Sequence, residues 1–110
     1  MLRDERDWIF RMIAAAAAAI ARLREKLAGG GSAAEVVDAA RAAQGELLGK
    51  DAHLLRSLDP ASAARMLGKE RIPAWADLLQ LEADALRAAG KADEAAALEQ
   101  RVRALRVGSG

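Results

Sequence analysis

The chain contains no cysteine. That excludes disulfides, thiolate metal sites and a cysteine nucleophile together, and leaves the redox compartment open. Threonine, tyrosine and asparagine are also missing, and only four valines and four isoleucines are β-branched. Too little remains from which to build strands, so a β-rich or α/β fold is excluded. There is a single histidine, His53. A Ser-His-Asp triad or a zinc site would have to be built around it with no second His, no Cys and no Gly-x-Ser-x-Gly elbow near Ser32, Ser57, Ser62 or Ser109. His53 therefore reads as a surface or helix-start residue. Charge of one sign is not in excess: 17 Lys and Arg face 16 Asp and Glu, and the two halves balance separately. No nucleic-acid partner is expected.

Long hydrophobic runs are short here too. Residues 8–21 are apolar except for Arg11, which falls below the roughly 20 apolar residues a membrane span requires. The lead-in Arg3-Asp4-Glu5-Arg6-Asp7 is acid-rich, unlike the basic start of a secretory signal. A cytoplasmic location is the expectation.

What the chain has is alanine. Of its 110 residues 58 are apolar, and 29 of those are Ala, leaving 29 larger apolar side chains of which 15 are Leu. The core must be thin and closely packed. The length fits one domain, and the pattern predicts an all-α bundle of five to six helices over 1–107, followed by a disordered tail at 108–110. The first helix is predicted over 4–28, with Asp4, Glu5 and Asp7 at its positive end and Arg22, Arg24 and Lys26 at its negative end. Ile9, Ile13, Ala16, Ile20, Leu23 and Leu27 follow a 4-3-4-3-4 spacing, and Trp8, Met12, Ala15 and Ala19 form a second stripe beside them. Six consecutive alanines, 14–19, favour helix and allow another helix to come close.

Gly29-Gly30-Gly31 ends this helix, and Ser32-Ala33-Ala34-Glu35 reads as a capping box opening a second helix over 33–48. That helix buries Val36, Ala40, Ala43 and Leu47, with Val37 and Leu48 alongside. Two short helices fill 51–67. The first, capped by Asp51, buries Leu54, Leu55 and Leu58; the second opens at Asp59-Pro60 and stops at Gly68. A hairpin over 74–107 follows. Its first helix starts at Pro73 and carries Trp75, Leu78, Leu79, Leu81 and Leu86, and its last carries Ala95, Leu98, Val102 and Leu105 with a Glu99–Arg103 pair at i, i+4. The carboxylates at Asp4-Glu5, Glu46/Asp51 and Glu82/Asp84 read as solvated faces. Gly29-Gly30-Gly31-Ser32 lacks the Lys and the preceding strand of a phosphate loop. Arg101, Arg103 and Arg106 complement the dipole at the end of the last helix.

The stretch from Ala76 to Leu105 resembles a tetratricopeptide hairpin. Gly90 falls at the turn glycine, Asp93-Glu94-Ala95 at the packing alanine, and Leu79 and Leu86 at large apolar positions. Glu82-Ala83 and Glu99 depart from the repeat, and a single hairpin is not an array. Over its whole length the chain is similar to a family of small bacterial helical proteins of unknown function, through Asp7-Trp8-Ile9-Phe10-Arg11-Met12-Ile13, Leu47-Leu48-Gly49 and Leu78 to Leu105. That resemblance implies a fold and no activity. The tail Leu105-Arg106-Val107-Gly108-Ser109 loosely resembles the start of encapsulin cargo-loading peptides, although Gly110 stands where an apolar residue would follow.

No enzyme, cofactor, metal or small-molecule substrate is inferred. The functional expectation is a non-enzymatic interaction or scaffold module using the apolar faces of the first helix, with a second copy of the chain or a partner helix as occupant. The candidate surface is Trp8, Ile9, Phe10, Arg11, Met12, Ile13, Ala16 and Ile20. Within it, Arg11 reads as a snorkelling side chain paired with Asp7, or else as a partner contact between the aromatic anchors Trp8 and Phe10. The alternative is a peripheral membrane protein that lays Trp8-Ile9-Phe10 into the interface.

Overall fold

A computed structural model describes residues 2–109, with side chains from 6 to 107, and all regular structure among them is helical. The order is α1 (Leu2–Ala28), α2 (Ala33–Leu48), a 3-10 turn (Gly49–Asp51), α3 (Ala52–Ser57), α4 (Pro60–Leu67), α5 (Ile72–Ala88) and α6 (Ala92–Ser109). This is the expected small all-α bundle. Asp4 and Glu5 lie outside the described side chains, and Gly110 outside the described residues. α6 reaches Ser109, into the segment expected as a loose tail; helix ends are commonly uncertain by one or two residues from sequence.

Each boundary has a local cause. At the end of α1, Gly30 takes φ +83°, where an L side chain is strained. Gly31 is needed for space: a Cβ there would sit 2.8 Å from the Lys26 carbonyl oxygen. Ser32 Oγ then accepts from Glu35 N at 3.2 Å and opens α2. The reciprocal half of the expected capping box is not made. Glu35 is drawn instead across the turn by the opposite charge of Lys26, 2.8 Å away.

Asp59 caps α4 by accepting from Ser62 N at 3.0 Å, with Pro60 at the first helical position. Asp51, expected to cap the preceding helix, makes no side-chain cap bond, because the 3-10 turn already links α2 to α3. α5 begins at Ile72, one residue before Pro73. Its cap residue Arg71 donates elsewhere, to the Leu47 carbonyl at 3.1 Å and the Leu67 carbonyl at 3.4 Å, tying down the last turns of α2 and α4.

α5 is the central element. It packs on α1, α2 and α6, and Trp75, Leu78, Leu79, Leu81 and Leu86 are all buried. α6 returns antiparallel beside it, as the paired positions Arg87 with Glu99 and Asp77 with Arg106 require. Glu99 thus pairs with Arg87 across the hairpin, and not with Arg103 along its own helix. Two apolar clusters result. One gathers Leu47, Leu55, Leu67, Trp75, Leu78 and Leu105, the other Leu23, Val36, Val37, Leu81, Leu86 and Ala95. Leu54, expected inside, is 46% exposed, because a six-residue helix can turn only one narrow face inward and Leu55 occupies it. The molecule measures 44 × 26 × 24 Å, its long dimension close to the roughly 40 Å of a 27-residue helix.

Candidate functional site

α1 presents three flanks, and the expected surface residues divide among them. Ile9, Ile13 and Ile20 are half-buried and Ala16 is buried, and Ile13, Ala16 and Ile20 belong to the first apolar cluster. Ile13 and Ile20 form the inner seam of α1 with Ala16, which also reaches the floor of the groove described below. The second stripe runs Trp8, Met12, Ala15, Ala19. Trp8 is 46% exposed and Ala15 exposed, while Met12 and Ala19 are partly and fully buried.

Phe10, 55% exposed, lies two residues from Trp8 and hence about 200° away around the helix. With Asp7, Arg11 and Ala14 it lines a shallow, open hollow. The structure therefore does not bring the two aromatic anchors to one face. Arg11 is exposed and does not reach ion-pair distance of Asp7, which corrects the expected i−4 pair.

The second stripe does meet something. Met12, Ala15, Ala16, Ala19 and Arg22 of α1 face Ala39, Ala42, Ala43, Glu46 and Leu47 of α2 across a groove of about 370 Å³. Its floor and walls are six alanines with Met12 and Leu47 at one end. Alanine is the cause of the groove: larger residues at 15, 19, 39 or 42 would close it by meeting across the gap. Arg22 and Glu46 stand on its rims. Chemically it offers apolar surface with one cation and one anion on its rims.

A second constellation was not foreseen. Glu82, read from sequence as solvated, is 1% exposed, and Gln44 is fully buried beside it. Arg41 Nε donates to Glu82 Oε2 at 2.8 Å and Gln44 Nε2 to Oε1 at 2.7 Å, while both terminal nitrogens of Arg56 lie 3.4 Å from the carboxylate. Gln44 Oε1 in turn accepts from Arg56 and, at 3.3 Å, from Trp75 Nε1. Burial by itself would raise the Glu82 pKa. The hydrogen bonds from Arg41 and Gln44 and the charge of Arg56 outweigh it and hold the carboxyl below its ordinary value.

Arg101 completes the cluster from α6. Its guanidinium stands 5.3 Å from the Trp75 ring centroid and donates to the Leu55 and Leu58 carbonyls, both at 2.7 Å. Burial, then the neighbouring Arg56, lowers its pKa, with Asp59 opposing. With its oxygens held by this many donors, Glu82 is arranged to pin α2, α3 and α5 together, and has no lone pair free for proton transfer.

One signal for this cluster was legible. Glu82 sits at i+3 and i+4 from Leu79 and Leu78 and at i−4 from Leu86, inside the apolar spacing of α5, and Gln44 does the same between Ala40 and Leu47 of α2. Their partners, 26 to 41 residues away from Glu82 in sequence, carry no such signal. His53, by contrast, is exposed near the start of α3, as expected. Comparison of the chain with protein-family models, curated proteins and solved structures found no match.

Proposed function

We propose that this protein is a non-enzymatic interaction module that docks a helix in the groove between α1 and α2. The observation that carries the reading is the groove itself, walled by alanine, with the half-exposed Trp8 continuing its line at one end. Exposed apolar surface bounded by charge is characteristic of binding faces. Alanine walls let a visiting backbone approach closely, and Trp8 provides a large anchor of the kind that dominates interface energies. α5 packs against both α1 and α2 and so backs the groove they form.

The test compares wild type with the Trp8→Ala/Ala15→Glu double variant as baits in native cell extract, after circular dichroism has shown equal helicity. A specific protein retained by the first and lost by the second is expected. Identical retained sets would overturn the proposal.

A membrane-surface role would need Trp8, Ile9 and Phe10 to enter one interface together. The 200° between Trp8 and Phe10, and the inward turn of Ile9, favour protein docking instead. Among the described residues no helix is long and apolar enough to cross a membrane. Co-sedimentation with anionic vesicles is expected to leave the protein in the supernatant.

A further inference from the structure

We propose that residues 49–67, which hold the 3-10 turn, α3 and α4, form a flap that lifts as one unit about Gly49 and Gly68 while α1, α2, α5 and α6 stay packed, uncovering the apolar cluster around Trp75.

The four long helices have a core of their own. The second apolar cluster draws Leu23 from α1, Val36 from α2, Leu81 and Leu86 from α5 and Ala95 from α6, and no residue of 49–67. α5 meets α1, α2 and α6 directly, and α1 meets α2 directly, so no flap residue is needed to join this frame. The buried residues of the flap, Leu55, Ala63 and Leu67, all sit in the first cluster with Trp75.

The polar contacts separate along the same line. Glu82 has its two short bonds, from Arg41 at 2.8 Å and Gln44 at 2.7 Å, inside the frame, whereas Arg56 of the flap stands 3.4 Å from it. Trp75 Nε1 likewise bonds Gln44 within the frame. Lifting the flap therefore strands neither group, which avoids the penalty of an unpaired buried charge.

Arg101 of α6 latches the flap through the Leu55 and Leu58 carbonyls, both at 2.7 Å. The latch is opposed from within. Arg56 places a like charge near Arg101, and Arg101 Nε is buried with no hydrogen-bond partner among the described residues. Water satisfies that donor once the flap lifts. Gly49 and Gly68, both at positive φ, have no side chain to obstruct rotation, and the single guanidinium of Arg71 bonds the Leu47 and Leu67 carbonyls beside them. The two ends of the flap thus lie together, and it can swing without pulling the frame apart.

Native-state amide hydrogen exchange of the full chain, read residue by residue by NMR, tests this. The helical amides of α3 and α4, those of Leu58 and Ala63 among them, are expected to share one opening constant. It should exceed that of the α5 amides at 78–86 at least about tenfold and depend much more weakly on low concentrations of urea. Arg56→Ala removes bonds made by α3 alone, yet should speed the α4 amides by the same factor as those of α3, about fivefold. Val36→Ala loosens only the frame, so it should speed the α5 amides about fivefold and leave the flap amides unchanged. If Arg56→Ala accelerates α3 alone, or neither helix, the two helices fray independently and the proposal is overturned. One common rate and urea dependence for flap and α5, or equal acceleration of both by Val36→Ala, would overturn it as well.

Discussion

Glu82 is a single carboxylate on which three helices converge. Removing it strands the Gln44 amide in a buried site and leaves Arg56 facing Gln44 and Trp75 without its counter-charge. Because Arg41 and Arg56 are partly exposed and can turn toward water, the cost is below that of a fully buried pair: Glu82→Ala should lose about 2–3 kcal/mol in urea unfolding followed by circular dichroism. The sign of the pH effect is fixed by the direction of the shift. A carboxyl whose folded pKa lies below its unfolded value adds stability above the unfolded value and loses it as pH falls through the folded one. Stability should therefore decline as pH drops below the ordinary glutamate range, and Glu82→Gln should flatten that part of the profile. Arg101 acts on Trp75 from α6. Arg101→Ala removes a cation–π contact and two donors to helix-end carbonyls, for an expected loss of about 2–3 kcal/mol, and Arg101→Lys should restore only part of it because an ammonium lacks the planar fork.

At the scale of elements, sequence signals of one turn's reach are the reliable ones. Ser32 before α2, Asp59-Pro60 before α4 and the glycines at 30, 49, 68 and 90, all with positive φ, mark ends that structure places within a residue or two of expectation. Each depends on a backbone requirement local to four residues. Ser32→Ala should cost about 1 kcal/mol of thermal stability without altering helicity in the rest of the chain. Where a longer-range group competes, the local rule loses. Glu35 leaves its capping role for Lys26, and Glu99 leaves Arg103 for Arg87. The inner seam of α1 was legible from its 4-3-4-3-4 spacing, while the width of its second stripe did not by itself reveal that α2 would form the facing wall of a groove.

For the whole molecule, the alanines set the distances between helices. Ala40, Ala63, Ala76, Ala83, Ala85 and Ala95 are fully buried, and Ala16 nearly so. At these points a larger side chain has nowhere to go. Ala40→Leu is expected to cost about 1–3 kcal/mol, read as a fall in melting temperature, whereas Ala17→Leu on the exposed flank of α1 should stay within about 0.5 kcal/mol. Half of the apolar residues being alanine thus has two outcomes in one chain, close contacts in the interior and an open groove at the surface. Composition and periodicity determined the all-helical class, the helix ends and the inner faces, because backbone propensity, capping and 3.6-residue spacing act within a few residues. Only the tertiary structure decided which partners satisfy the buried Glu82, that α2 forms the facing wall of the α1 groove, and which alanines meet a neighbour. Those outcomes depend on residues tens of positions apart that are brought together by the packing of α2, α3 and α6 around α5, which no local pattern encodes.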